Sequence, residues 1–317
     1  MVRVAVVGVG NMGKNHARVY SELKGVELVG VVDKDEKTGR EVAKKFGAPY
    51  FPDYKELIGK VDAVSIVVPT KLHYTVAKDL LSAGIDVLVE KPITASLKEA
   101  DELIKLADAK KRILQVGHIE RFNPAVRELK DYVKKGEIIG LEAHRIGPSG
   151  ARITDAGVVL DLMIHDIDIV LSLVESNVER VSAQGNKVTG AHEDFASALI
   201  RFKNGVIATL TASRATQKRE RSLAVTEKDK YVVVDYMNRA IEIHRQAKSE
   251  YVTDGGASRL VYSDVIERPQ IPQAEPLKLE LESFIDCVNT RKKPVVDGAA
   301  GKDALEVALK VLKELEG

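Results

Sequence analysis

Short apolar runs alternate with amphipathic stretches through the first third of the chain. Val2–Val7, Val26–Val32, Ala63–Val68, Asp86–Val89 and Ile113–Val116 have strand length and are rich in β-branched residues. Between them, Asn15–Leu23, Glu36–Phe46, His73–Ala83 and Ser96–Lys111 repeat their apolar positions at helical spacing. Such alternation predicts a doubly wound α/β domain, a parallel sheet with helices on both faces, over residues 1–118. Pro69 and Pro92 follow strands, at the carboxyl edge where open parallel sheets bind ligands.

The pattern changes after about His118. A helix over Pro124–Lys134 precedes extended segments at Ile138–Ile146, Val178–Gly185, Phe195–Arg201, Val206–Ser213, Ser222–Thr226, Lys230–Asp235 and Ala240–His244. Serial strands joined by short turns favour antiparallel pairing. One strong helix, Val158–Val174, interrupts them. Pro-rich Glu267–Pro276 crosses the surface, and helices Leu277–Asn289 and Lys302–Leu315 close the chain. Residues 119–317 are therefore expected to form an α+β domain for substrate binding and oligomerisation, whose last helices can return to the first domain.

Composition narrows the class of ligand. The 317 residues are 44% hydrophobic and 30% charged, with a net charge of +1, so no global field draws nucleic acid or an acidic membrane. An anionic ligand must be held locally. The single Cys287 excludes an intrachain disulfide and fits a reducing compartment. No apolar run is long enough to span a bilayer, and the N-terminus opens directly into a strand, so a cytoplasmic location is expected. Abundant Lys and Glu, with no Trp, point to a heat-adapted source.

Gly8-Val9-Gly10-Asn11-Met12-Gly13 lies between strand and helix, the context a dinucleotide fingerprint requires. Gly8 permits the tight turn, Gly10 the approach of a pyrophosphate, and Gly13 close helix–sheet packing. The next strand ends at Asp33, where a carboxylate can accept from ribose hydroxyls and repel a 2′-phosphate. NAD is the expected cofactor. Lys34, which can tolerate a 2′-phosphate, leaves NADP as the lesser alternative.

Two further segments carry candidate chemistry. Glu90-Lys91-Pro92 places a lysine just past a buried strand, where desolvation disfavours the ammonium form and suits proton transfer. By itself a Glu-Lys pair reads as a surface ion pair, and the position gives the motif its weight. In Val158–Val174, helical spacing puts Asp161, His165 and Asp168 on one face. His165 has the ordinary pKa to exchange a proton with a carbinol oxygen at neutral pH, and Asp161 can orient it or bind a neighbouring hydroxyl. A metal site and a satisfied polar network are the competing readings. No further His/Cys cluster supplies the remaining ligands, so no metal is expected.

Together, Gly8–Gly13, Asp33, Pro69-Thr70 with His73, Glu90-Lys91-Pro92, and Asp161 with His165 resemble the Gfo/Idh/MocA oxidoreductases in order and spacing, over essentially the whole chain. The resemblance implies a Rossmann domain and a second domain on an open, mostly antiparallel sheet, with helices on one face and an oligomer contact on the other. It implies a cofactor held by Gly8, Gly10, Asn11, Met12, Gly13, Asp33, Lys34, Pro69, Thr70, His73, Glu90 and Lys91. It also implies a catalytic set of Lys91, Asp161 and His165, acting on a sugar, sugar nucleotide or inositol. Which of Lys91 and His165 is the formal base stays open.

The segment Val116–Pro124 resembles that of family members oxidising the 3-hydroxyl of UDP-N-acetylglucosamine and related UDP-sugars. Arg121 and Asn123 are thus candidate contacts for a sugar or diphosphate, and Arg152 for the anionic part. An NAD-dependent glycosidase of the same superfamily and a non-catalytic NAD sensor remain alternatives. The uncovered sheet face predicts a homodimer or homotetramer.

Overall fold

The structure, a computed structural model, describes residues 1–148, 156–188, 191–246, 250–254, 257–261 and 264–316. Two compact units divide the chain: Met1–Phe122 with Ala274–Glu306, and Asn123–Gln273 with Val307–Gly317.

The first unit carries strands β1 (Val2–Val7), β2 (Val26–Val32), β3 (Tyr50–Phe51), β4 (Ala63–Ile66), β5 (Asp86–Glu90) and β6 (Leu114–Gly117). They form a six-stranded sheet in the order β3-β2-β1-β4-β5-β6, with every pairing parallel. The order reverses between β1 and β4, and there the two chain directions leave a crevice at the carboxyl edge. Helices α1 (Gly13–Glu22), α2 (Glu36–Phe46), α3 (His73–Ser82) and α4 (Leu97–Lys110) connect the strands.

Local chemistry fixes the helix ends. Asp35 accepts from the Thr38 N–H at 2.8 Å to start α2, and Gly47, at φ 65°, ends it. Ser96 and Glu99 form a reciprocal cap on α4. Val4, Val6 and Val31 are fully buried, in one cluster with Leu281 and Phe284 from the returning helix α7 (Pro276–Thr290). Two-residue β3 escapes sequence reading because it is shorter than any periodicity can register.

In the second unit, α5 (Pro124–Tyr132) precedes β7 (Ile138–Pro148), and α6 (Ile164–Val174) follows a π-helical turn over Val159–Met163. Then come β8 (Val178–Asn186), β9 (Phe195–Phe202), β10 (Ile207–Ser213), β11 (Ala215–Glu227), β12 (Lys230–Asp235) and β13 (Ala240–Gln246). The short strands β14 (Glu250–Asp254), β15 (Ala257–Val261) and β16 (Asp264–Glu267) follow, and α8 (Gly298–Leu315) ends the chain. The eight-stranded sheet runs β16-β13-β12-β11-β7-β10-β9-β8, antiparallel except between β10 and β7.

Register explains burial. Leu141, Val225 and Val232 are mutually aligned, and all are buried on the face that α5 and α6 cover. The other face shows Phe195, Leu199, Ile207 and Tyr231, each at least 36% exposed. The fold class expected from the sequence is thus observed in both halves. Strand β11 begins seven residues before the expected Ser222 start, counting back to Ala215. Its first half is a charged run without apolar alternation, and backbone pairing with β7 holds it extended. Segment Val158–Val174 is likewise not one uniform α-helix.

Candidate functional site

The glycine turn sits at the sheet's reversal point. Gly8 has φ +87°, and a Cβ there would lie 2.6 Å from the Val67 carbonyl oxygen. A Cβ on Gly13 would lie 1.8 Å from the Gly8 carbonyl oxygen, so both positions require glycine. Around Gly10 nothing lies within 4 Å of such an atom, which leaves a cradle open at the backbone. The α1 N-terminus has no side-chain cap, and its N–H groups are suited to an anion.

A cavity of about 800 Å³ opens beside this turn, lined among others by Gly8, Gly10, Asp33, Lys34, Tyr54 and Pro69. Asp33 accepts from the Val9 N–H at 2.8 Å and the Asp35 N–H at 2.9 Å. It thereby ties the glycine turn to the end of β2 while keeping lone pairs for a ribose. Burial, with a hydrogen bond to Asp79, pushes the Tyr54 phenol up to about 12. Asn11 and Pro69 are exposed, and Met12 and Thr70 are half-buried. Size, open cradle and carboxylate fit an adenine dinucleotide.

Lys91 is half-buried at the end of β5. Its neighbour Glu90 turns inward: Oε1 accepts from His16 Nε2 at 3.0 Å, and Oε2 accepts from the Lys91 N–H at 3.2 Å. A Cβ on Gly117 would lie 3.0 Å from that carboxylate, so β6 leaves room for it. Desolvation pushes the Glu90 carboxyl up, but His16 and Lys91 more than reverse this and hold it below its ordinary value. His16, wholly buried on α1, escaped sequence reading because a lone helical histidine looks like any other.

His73 also acts inside the protein. Its Nδ1 and Nε2 lie 2.8 Å from the carbonyl oxygens of Pro92 and Val68. It therefore clasps the loop after β4 to the loop bearing Lys91. Burial holds the imidazole below its ordinary value, against the pull of the two carbonyls.

In the second unit, Asp161 and His165 are half-buried and Asp168 is buried at 2% exposure. Asp161 falls within the π turn, while His165 and Asp168 stand three apart on the regular helix α6. Asp161 Oδ2 accepts from Arg214 Nη2 at 2.9 Å, and Arg214 Nη1 donates to the Ala156 carbonyl at 2.7 Å. Behind them, Arg145 donates two hydrogen bonds to Asp166, at 2.9 and 2.8 Å, in a buried fork.

The start of the site helix is set by Glu193. Its Oε1 accepts from the Val159 N–H at 3.1 Å and its carbonyl from the Val158 N–H at 3.0 Å. Gly157 makes room, since a Cβ there would lie 1.9 Å from that carboxylate oxygen. Neither Arg214 nor Glu193 carries a periodicity signal, because each acts across strands distant in sequence.

The remaining candidates separate. Arg121 is half-buried in a 3-10 turn, Ile119–Phe122. Asn123 is 3% exposed; its Oδ1 accepts from the Ala125 N–H to cap α5, and its Nδ2 donates to the Tyr236 carbonyl at 3.1 Å. Arg152 lies outside the described residues.

The cradle and carboxylate define the first unit as a dinucleotide-binding domain. Residues 2–118 match the model of an oxidoreductase family with an NAD-binding Rossmann fold, and residues 125–234 match the Gfo/Idh/MocA C-terminal domain. The chain belongs to the Gfo/Idh/MocA oxidoreductase family. It is 35% identical over 316 residues to the UDP-N-acetylglucosamine 3-dehydrogenase of Acidithiobacillus ferrooxidans, covering 99% of this chain and 97% of that protein. A solved structure of that dehydrogenase superposes with a TM-score of 0.90 at 33% identity, over 99% of this chain and 98% of that one. The myo-inositol 2-dehydrogenase of Thermotoga maritima is 27% identical, over 99% of this chain and 96% of its own.

Proposed function

We propose that this oxidoreductase is an NAD-dependent dehydrogenase that oxidises a secondary hydroxyl of a sugar nucleotide, namely the 3-hydroxyl of UDP-N-acetylglucosamine. The observation that carries the substrate is the 35% identity to the Acidithiobacillus enzyme across nearly the full length of both chains. The 27% identity to an inositol dehydrogenase supports a second reading, oxidation of an inositol. Asp33 at the end of β2 supports NAD over NADP, because a 2′-phosphate there meets a carboxylate.

The bound nicotinamide supplies a two-electron hydride acceptor. The protein's own groups then handle the proton and the oxygen. His165 is suited to take the hydroxyl proton, and Lys91 to donate a hydrogen bond that favours negative charge as it develops on oxygen. Asp161, oriented by Arg214, holds His165 or an adjacent hydroxyl. Glu90, His16 and His73 act on Lys91 by fixing the loop that bears it. The first unit supplies the cofactor cradle and the second the substrate groups. The half-apolar open sheet face supports a homodimer or homotetramer, and the lone cysteine a reducing cytoplasm.

The test is NADH absorbance with UDP-N-acetylglucosamine, other UDP-sugars, free sugars and inositols. Turnover confined to the UDP-sugars is expected. Turnover of inositols alone replaces this reading with the second, and glycoside cleavage without net NADH replaces both.

A further inference from the structure

Beside Asp161, the second unit contains a cavity of about 270 Å³ whose lining includes Arg145, Arg214, Arg219 and Arg221. Among the described residues, Asp161 is the only acid that lines it. Arg145 is held from behind by Asp166, and Arg214 by Asp161 and a carbonyl. These two form a fixed wall.

The other two arginines stand at alternate positions of β11, and so share one face of the strand. Arg221 lies directly opposite Arg145 in the ladder, a like-charge pairing that normally costs stability. The Arg219 stem runs along Gly147: a Cβ there would lie 3.8 Å from Arg219 Cγ, an ordinary contact distance. Glu220, between them, is engaged by Lys218 and Ser222 instead. Four guanidinium groups thus line one recess next to a proposed catalytic residue.

From this arrangement we infer that the cavity is a diphosphate subsite, in which Arg219 and Arg221 grip the phosphoryl groups of a nucleotide sugar and Arg145 and Arg214 form its cationic floor. Guanidinium forks match phosphoryl oxygens two at a time, and a pair of them on one strand face suits adjoining phosphoryl groups. The site deepens the proposed function and rests on it for the identity of the sugar nucleotide. It moves the anion contact away from Asn123, whose amide is engaged within the fold, to a strand that sequence periodicity did not register.

The experiment is calorimetric titration of the NAD-loaded protein with UDP, inorganic diphosphate and uridine. Wild type, Arg219→Ala/Arg221→Ala, Arg219→Lys/Arg221→Lys and His165→Ala are compared. The double alanine variant is expected to bind UDP and diphosphate about 10- to 100-fold more weakly, the scale for losing charged hydrogen bonds. Uridine and NAD affinities, and the melting temperature, are expected to stay at wild-type values. The lysine variant regains part of the affinity, because it keeps charge but not the fork.

UDP affinity within twofold of wild type in the double alanine variant overturns the subsite, even if UDP-sugars are turned over. So does failure of wild type to bind both UDP and diphosphate. Arginine-dependent UDP binding, kept in His165→Ala, without turnover of any UDP-sugar overturns the functional reading and leaves the subsite standing.

Discussion

The fold around Lys91 is committed to the placement of that side chain. Lys91 sits on a loop held twice, by Glu90 through His16 and by His73 through the Pro92 carbonyl. Replacing either Lys91 or His165 by Ala is expected to lower kcat by about 100-fold or more, with NAD affinity retained, as for loss of a positioned acid–base group. Steady-state kinetics beside NAD titration checks this, and near-wild-type kcat in both variants would remove them from the mechanism.

The Glu90 carboxyl makes a separate statement about pH. Its folded pKa lies below the unfolded value, so the unfolded chain binds the proton more readily. The resulting stability is present above the unfolded carboxylate pKa of about 4.3 and is lost as pH falls through the folded value. The gap in melting temperature between wild type and Glu90→Gln should therefore be widest near neutrality and narrow in acid. A gap constant down to acid pH removes the charge from the account. The buried Arg145–Asp166 fork should be the costlier one to break: Asp166→Ala strands a buried guanidinium, with an expected loss of about 3–5 kcal/mol in urea melts.

At the scale of elements, two glycines decide how a turn and a helix approach their neighbours. Gly13 touches the Gly8 carbonyl, and a methyl there must push α1 off the sheet. Gly13→Ala should weaken NAD binding by about tenfold or more, for the roughly 1–3 kcal/mol that overpacking costs. Fluorescence titration with NADH measures it, and unchanged affinity means that the turn yields more easily than its contacts imply. The glycine turn, the Asp33 carboxylate and α2 from Glu36 to Phe46 were readable from the sequence, because each depends on neighbours in the chain. The π turn before α6 was not, since the i,i+4 spacing of Asp161 and His165 reads as an α-helix. What sets the start of that segment is Glu193, a cap from a distant strand approach.

For the whole molecule, the open face of the eight-stranded sheet is the proposed contact between copies of the chain. Leu199 and Ile207 project from it on adjoining strands, at 48% and 40% exposure. Leu199→Lys with Ile207→Glu should convert a dimer or tetramer into monomers in sedimentation velocity at micromolar protein. A wild-type monomer under the same conditions refutes the interface.

The sequence by itself determined the alternation of strands and helices, the switch to antiparallel strands near residue 118 and the glycine turn with its acid. These follow from local period and backbone sterics. Only the tertiary structure decided which charges meet: His16 with Glu90, Arg145 with Asp166, Arg214 with Asp161, and the arginines of β11 beside β7. Such pairings join residues far apart in the chain. Strand register and helix packing place them, and no local pattern of hydrophobic and polar positions encodes which partner a given charge will face.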